Sequence, residues 1–361
     1  MDLGVTFIDT ADVYGHGHSE TLVARVRRPD LLVATKAGRR LPTQTVEGYS
    51  REHLVSWIDR SRRLLGMQTL DLLQLHCPPI ALYRTDRVFR LLDELVRDGR
   101  IRHYGVSVER IDEALLALEY PGVQSIQIIF NLFRQRPADE LFAAARERRV
   151  AIIARVPLAS GLLAGRITPE TRFPADDHRT FNRSGEAFDV GETFSGVPMG
   201  AATRTVAALR RLVPAGATLA QFALRWILMY EAVTVAVPGC RTPAQAAENF
   251  AAAALPRSTP PRWMRAAISM TSTSAPTSIT DGDCRRGPFV RQILRTAAGR
   301  GGAKCHARRA LTPHPSRNDG PGAAMSAPRL RRPPLACWLL PIATNVPADR
   351  VGTSRRLGPA G

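Results

Sequence analysis

Short, nearly uninterrupted apolar runs alternate along residues 1–257 with stretches whose apolar positions recur at helical spacing. The runs are VTFID (5–9), LLVATK (31–36), LDLLQLH (70–76), RHYGVS (102–107), SIQIIF (125–130), VAIIARV (150–156) and VTVAVPG (233–239). Between them, helices are predicted over 19–26, 51–66, 86–97, 110–118, 138–148, 200–212 and 218–230, with another starting near Pro243. In the second of these, Leu54, Ile58, Leu64 and Leu65 share one face and Gly66 is the stop. Strands this uniformly apolar, each followed by a helix, predict a parallel sheet covered by helices. A doubly wound sheet and a (β/α)8 barrel both satisfy that pattern. A barrel needs about 250 residues, which this segment supplies. Seven strands are visible rather than eight, and MDLGVTF reads as the end of a helix running into a strand. The expected fold is therefore an incomplete (β/α)8 TIM barrel lacking its first strand and helix.

Charge changes this picture only for the tail. The chain carries a formal net charge of +18. Residues 258–361 hold 17 Lys+Arg against 4 Asp, whereas residues 1–257 are nearly balanced at +5. The basic character is thus not a property of the predicted barrel. No apolar run is long enough to span a bilayer, and no leader pattern follows Met1, so a cytoplasmic location is expected. The five cysteines are scattered, without a CxxC, and suggest neither disulfides nor zinc.

Candidate chemistry lies at the strand ends. The first three runs end in Asp9, Lys36 and His76, and Tyr14 follows on the loop DTADVYG. A parallel barrel gathers such ends at one mouth, with neighbouring strands roughly 4.8 Å apart. Lys36 stands out further, because the chain has only two lysines, Lys36 and Lys304, among its 50 Lys+Arg. A compact, titratable ammonium is a different tool from a guanidinium. Held by Asp9 and placed near Tyr14, it is expected to lower the phenol pKa from its ordinary value near 10. Tyr14 then becomes a proton donor to a carbonyl oxygen, and neutral His76 orients the same oxygen.

These residues sit in segments that resemble the aldo-keto reductases: GVTFIDTADVYGHGHSE, LLVATKAG, LDLLQLHCPP, RVPLASGLLAGR and VAVPGCRTPAQAAENF. The resemblance covers roughly residues 2–257 and implies reduction of an aldehyde or ketone with NADPH, NAD being a possible substitute. It implies that Ser107 and Gln127 bind the nicotinamide carboxamide, with Val108 standing where an Asn is usual. Arg155 takes a position where many members stack an aromatic ring. Pro157, Leu158, Ser160 and Gly161 resemble the loop along the pyrophosphate. Gly239, Arg241, Gln245, Glu248 and Asn249 resemble the adenosine-phosphate end, where Arg241 takes the 2′-phosphate. Gln245 replaces a common Arg there, which softens the expected preference for NADPH.

Each residue also has a plainer reading. Lys36 can be a strand-end cation, His76 a structural histidine, and Tyr14 a turn residue before Gly15. Cys77 and Cys240 read as small packing residues. His16 and His18, on a Gly-rich loop without a carboxylate partner, do not make a metal site, and none is expected. Two further functional readings stay open: a Schiff-base aldolase using Lys36, and a non-catalytic or inactive cofactor-binding protein. The expected partner is a small carbonyl substrate, and the sequence fixes no oligomeric state.

Both ends depart from the family pattern. The start lacks the family's first strand with its Gly-rich cofactor loop, so the chain reads as N-terminally truncated. Residues 258–361 lose all periodicity and are expected to be a disordered basic tail. Back-translated one base earlier, residues 268–283 can spell LYDEHVRPNVHHRW and a stop, which points to a shifted reading frame. The rival, a tail that binds nucleic acid, lacks aromatic interleaving, having only Trp263, Phe289 and Trp338.

Overall fold

The apolar runs become seven parallel strands in a computed structural model, which describes residues 3–256 and the pair Trp338–Leu339. They are β1 (Phe7–Asp9), β2 (Leu32–Ala37), β3 (Leu70–His76), β4 (Ile101–Ser107), β5 (Val123–Ile129), β6 (Ala151–Arg155) and β7 (Val233–Ala236). Trp338–Leu339 forms a short β8 beside β1. The sheet order is β7-β6-β5-β4-β3-β2-β1-β8, so each strand from β1 to β7 lies next to its neighbour in sequence. The register between the two edge strands is not closed among the described residues, as an incomplete (β/α)8 barrel requires. Apart from β8, the expected basic tail falls outside the described residues.

Helices fill the intervals. They are α1 (His18–Val26), α2 (Arg51–Leu65), α3 (Arg87–Arg97), α4 (Ile111–Ala117), α5 (Arg136–Glu140), α6 (Phe142–Glu147), α7 (His178–Phe181), α8 (Met199–Arg210), α9 (Leu219–Ile227) and α10 (Pro243–Ala251). Their ends follow ordinary capping chemistry. Ser50 accepts from the His53 N–H at the start of α2, and Gly66 closes it with φ 63°. Thr218 and Gln221 form a capping box on α9, and Thr242 caps α10 just before Pro243. The helix predicted over 138–148 is instead two short ones. Leu141, fully buried and at φ −112°, breaks the α-helical run between them.

Strand alternation divides the core in two. Phe7, Leu32, Ala34, Leu72, Ala151, Ile153, Val235 and Val237 form a small cluster. Their alternates, such as Ile8, Val33, Leu73 and Ile152, join the large cluster with helix residues Leu54, Ile58, Leu92 and Ala114. Successive strand residues face opposite sides, so the small cluster marks the face turned away from the helices. Each fully buried Leu or Ile there contributes about 1.5–3 kcal/mol. Along that same parity, towards the C-terminal strand ends, the residues turn polar: Asp9, Lys36, Gln74, His76 and Arg155.

Candidate active site

Register brings the polar ends side by side. Lys36 pairs with Gln74, His76 with Ser107, and Ser107 with Gln127. Paired residues in neighbouring strands point to the same side. The result is a row across β2 to β5, with Asp9 of β1 reaching into it.

Asp9 is the hub. Its Oδ2 accepts from Lys36 Nζ at 2.5 Å. Its Oδ1 accepts from Gln127 Nε2 at 2.8 Å and from Gln74 Nε2 at 3.1 Å. Lys36 also donates to the Thr10 carbonyl at 2.9 Å. Only 1% of the Lys36 side chain and 2% of Asp9 remain exposed, so each ion depends on the other. Burial works to lower the Lys36 pKa, but the Asp9 carboxylate, Tyr14 and the Asp9 hydrogen bond outweigh it and leave it raised.

Tyr14 opens a short 3-10 turn (Tyr14–Gly17) anchored by its N–H on the Ala11 carbonyl at 3.1 Å. Lys36 Nζ lies 5.2 Å from the centre of the Tyr14 ring, and the His76 ring meets Tyr14 edge-on with centroids 6.0 Å apart. Strand order alone predicts that Lys36 brings the Tyr14 pKa down. Instead, burial raises it and the Lys36 ammonium only partly compensates, with Asp9 adding to the rise. His76 is driven well below its ordinary value by burial, then by the positive charges of Arg39, Lys36 and Arg155. It is therefore neutral at pH 7, as expected, and its buried Nδ1 has no hydrogen-bond partner.

The remaining candidates lie around this core. Ser107 is buried at the end of β4, within 3.8 Å of Cys77 Sγ. Gln127 directs its amide N–H to Asp9. Arg155, 8% exposed, donates to the Val108 carbonyl at 2.9 Å and pairs with Glu192, which holds its charge firmly raised against burial. Its Nε is buried without a partner. The loop after β6 is strained: Val156, Ala159 and Ser160 all have φ between 48° and 54°. In this loop Pro157 is buried, Leu158 is half-buried, and Gly161 donates its N–H to the Leu158 carbonyl at 2.9 Å. Ser160 Oγ donates to the Glu192 carbonyl and accepts the Phe194 N–H.

A second group follows β7. Gly239 borders open space, and Gln245 Oε1 accepts the Arg241 N–H at 2.8 Å. Asn249 Nδ2 points to Cys240 Sγ at 3.2 Å, and Glu248 is half-buried on α10. Gln74, Glu192 and Asp177 also join these groups, although the strand-end pattern does not single them out. A lone Gln inside LDLLQLH was a usable signal. The two acids lie on a loop without periodicity and gave none. Among the described residues, no cluster of three or more His, Cys, Asp or Glu could hold a metal ion. No described helix is long and apolar enough to cross a membrane.

The model of the Aldo/keto reductase family matches residues 1–261. The oxidoreductase YqkF of Bacillus subtilis is 32% identical over 169 residues, covering 45% of this chain and 55% of its own length. The aldo-keto reductase yakc [NADP(+)] of Schizosaccharomyces pombe is 26% identical over 266 residues, covering 70% and 74%. Among solved structures, the glycerol dehydrogenase AKR11B4 of Gluconobacter oxydans superposes with a TM-score of 0.61 at 27% identity, covering 79% of this chain and 86% of its own. The chain spans about half the length of YqkF and about three quarters of the other relative. With the family model covering most of the chain and the strand-end carboxylate, ammonium, imidazole and phenol gathered as described, this chain belongs to the aldo/keto reductase family.

Proposed function

We propose that this chain reduces an aldehyde or ketone to the alcohol, with hydride from a nicotinamide nucleotide and the proton from Tyr14. One observation carries the reading. The buried Lys36–Asp9 pair stands 5.2 Å from the Tyr14 ring, and neutral His76 lies on that ring's edge. Burial keeps Tyr14 protonated at neutral pH, so it meets the substrate as an acid. As charge develops on the carbonyl oxygen, Tyr14 gives up its proton, and the Lys36 ammonium stabilises the phenolate that remains. Asp9 and the two glutamines fix Lys36 for that task. His76, uncharged, hydrogen-bonds the same oxygen without competing as an acid.

The residues present fit a nicotinamide nucleotide. His76 Nδ1 and Arg155 Nε are buried polar atoms without partners, and the strained 156–160 loop opens on the same end of the sheet. Ser107 and Gln127 would hold the carboxamide, Pro157, Leu158, Ser160 and Gly161 the pyrophosphate, and Gly239, Arg241, Gln245, Glu248 and Asn249 the adenosine end. When bound, the nucleotide supplies the hydride. NADP is the primary candidate, in line with the relative whose name carries NADP(+), and NAD the alternative.

The geometry weighs against a Schiff-base aldolase. That chemistry needs a free amine, whereas Lys36 is sealed from water, ion-paired and held protonated. The test is NADPH consumption with a panel of aldehydes and ketones. Turnover that Tyr14→Phe abolishes supports the reading, and a borohydride-trapped adduct on Lys36 would replace it.

A further inference from the structure

We propose that Asp177 sets the choice between NADPH and NADH by fixing a negative charge beside Arg241; this rests on the reductase reading above. Arg241 is the charged residue of the 237–242 turn, with 74% of its side chain exposed. The neighbouring Gln245 is uncharged; its side-chain Oε1 accepts the Arg241 backbone N–H, and its own backbone N–H goes to the Thr242 hydroxyl. The Arg241 guanidinium is therefore the group of this turn suited to a phosphate monoester.

Asp177 arrives from elsewhere in the chain, on the loop after β6. Its Oδ2 stands 3.8 Å from Arg241 Nη2, and only 9% of its side chain is exposed. It is braced from the other side by Arg179, with Nε to Oδ1 at 2.9 Å and Nη2 to Oδ2 at 2.6 Å. The Arg179 N–H also donates to Oδ1 at 2.9 Å, and His178 Nδ1 lies 3.5 Å away. Burial opposes ionisation, but the Arg179 hydrogen bonds and charge prevail and hold the carboxyl down at about 2. It is charged at every working pH.

The two nucleotides differ only at the adenosine 2′ position. A 2′-phosphate on Arg241 shares its guanidinium with a fixed carboxylate and is repelled by it. A free 2′-hydroxyl can instead donate a hydrogen bond to an acid. Asp177 thus takes the Arg241–Asp177–Arg179 group from a charge of +2 to +1, against the nucleotide that carries more negative charge. The expected penalty on NADPH is roughly three- to tenfold, the size of one partly exposed charge interaction.

The experiment is fluorescence titration of the full chain with NADPH and with NADH, in the wild type, Asp177→Asn, Arg241→Ala and the double variant. Asp177→Asn is expected to tighten NADPH roughly three- to tenfold while NADH stays unchanged or weakens. Arg241→Ala should weaken NADPH and diminish the gain from Asp177→Asn. An equal response of both nucleotides, no response, or the same NADPH gain with Arg241 absent overturns the inference, the last because Asp177 would then act through loop structure. If the wild type binds neither nucleotide, the reductase reading falls and takes this inference with it, a result distinct from binding of both with equal responses.

Discussion

Lys36 Nζ and Asp9 Oδ2 stand 2.5 Å apart on adjacent strands, with both side chains almost fully withdrawn from water. Two ions in such a place are tolerable only together, because either one alone keeps its desolvation cost and loses its compensation. Asp9→Asn should therefore destabilise the fold by about 3–5 kcal/mol. Replacing both with apolar residues, Asp9→Leu with Lys36→Met, should recover much of that stability without restoring turnover. Urea unfolding of the three proteins checks the order.

The same pair explains the rare lysine. A guanidinium is wider and planar, and it would have to fit where one ammonium meets Asp9 and the Thr10 carbonyl. Lys36→Arg keeps the charge but loses that fit. It is expected to cut kcat by about 100-fold or more while leaving nucleotide affinity nearly intact. Steady-state kinetics beside a binding titration separate the two effects.

Asp12 gives a stability signature in pH. It is fully buried, neither carboxyl oxygen has a hydrogen-bond partner, and its pKa is pushed up to about 7 by burial and then by the Glu20 charge, against Arg40 and Arg60. The folded state thus holds a proton that the unfolded chain releases near 4. The contribution is complete below about pH 4 and is lost as pH rises to about 7. Asp12→Asn should be the more stable protein at pH 8 by on the order of 2–4 kcal/mol relative to its standing at pH 4. Parallel denaturation curves at the two pH values measure the difference.

For catalysis the sign is set by Tyr14 and His76. The proposed reduction draws on the Tyr14 proton, and the Tyr14 pKa is raised above the ordinary 10, so the rate should hold constant through neutral pH and fall only in the alkaline range. His76 titrates well below 6.5 and should add no step between pH 6 and 8. Lys36→Met removes the main influence that lowers the Tyr14 pKa, and the alkaline limb should move higher still. A kcat profile against pH for both proteins tests this.

Much of the site was legible because polar residues end otherwise apolar strands. Asp9, Lys36 and His76 announce themselves that way, and parallel packing does the rest. What the sequence concealed was depth and tertiary partnership. Tyr14 was expected to be acidified, since a neighbouring ammonium can be inferred from strand order but the extent of burial cannot. The Gln127 amide N–H reaches Asp9 from the far side of the strand row, a link that no spacing in the sequence forecasts. Glu192 and Asp177 reach Arg155 and Arg241 from a long irregular loop, where no periodicity forecasts a contact. The single helix expected over 138–148 breaks at Leu141, a residue whose burial only the folded chain reveals.

The proposed nicotinamide-dependent carbonyl reduction turns on proton donation by Tyr14. The direct measurement is single-turnover oxidation of bound NADPH by an aldehyde that the wild type reduces, compared between wild type and Tyr14→Phe with nucleotide binding confirmed in both. Proton donation by Tyr14 predicts unchanged binding and a chemical step slowed by about 100-fold or more in Tyr14→Phe. A Tyr14→Phe protein that binds NADPH and reduces the aldehyde at the wild-type rate would contradict it.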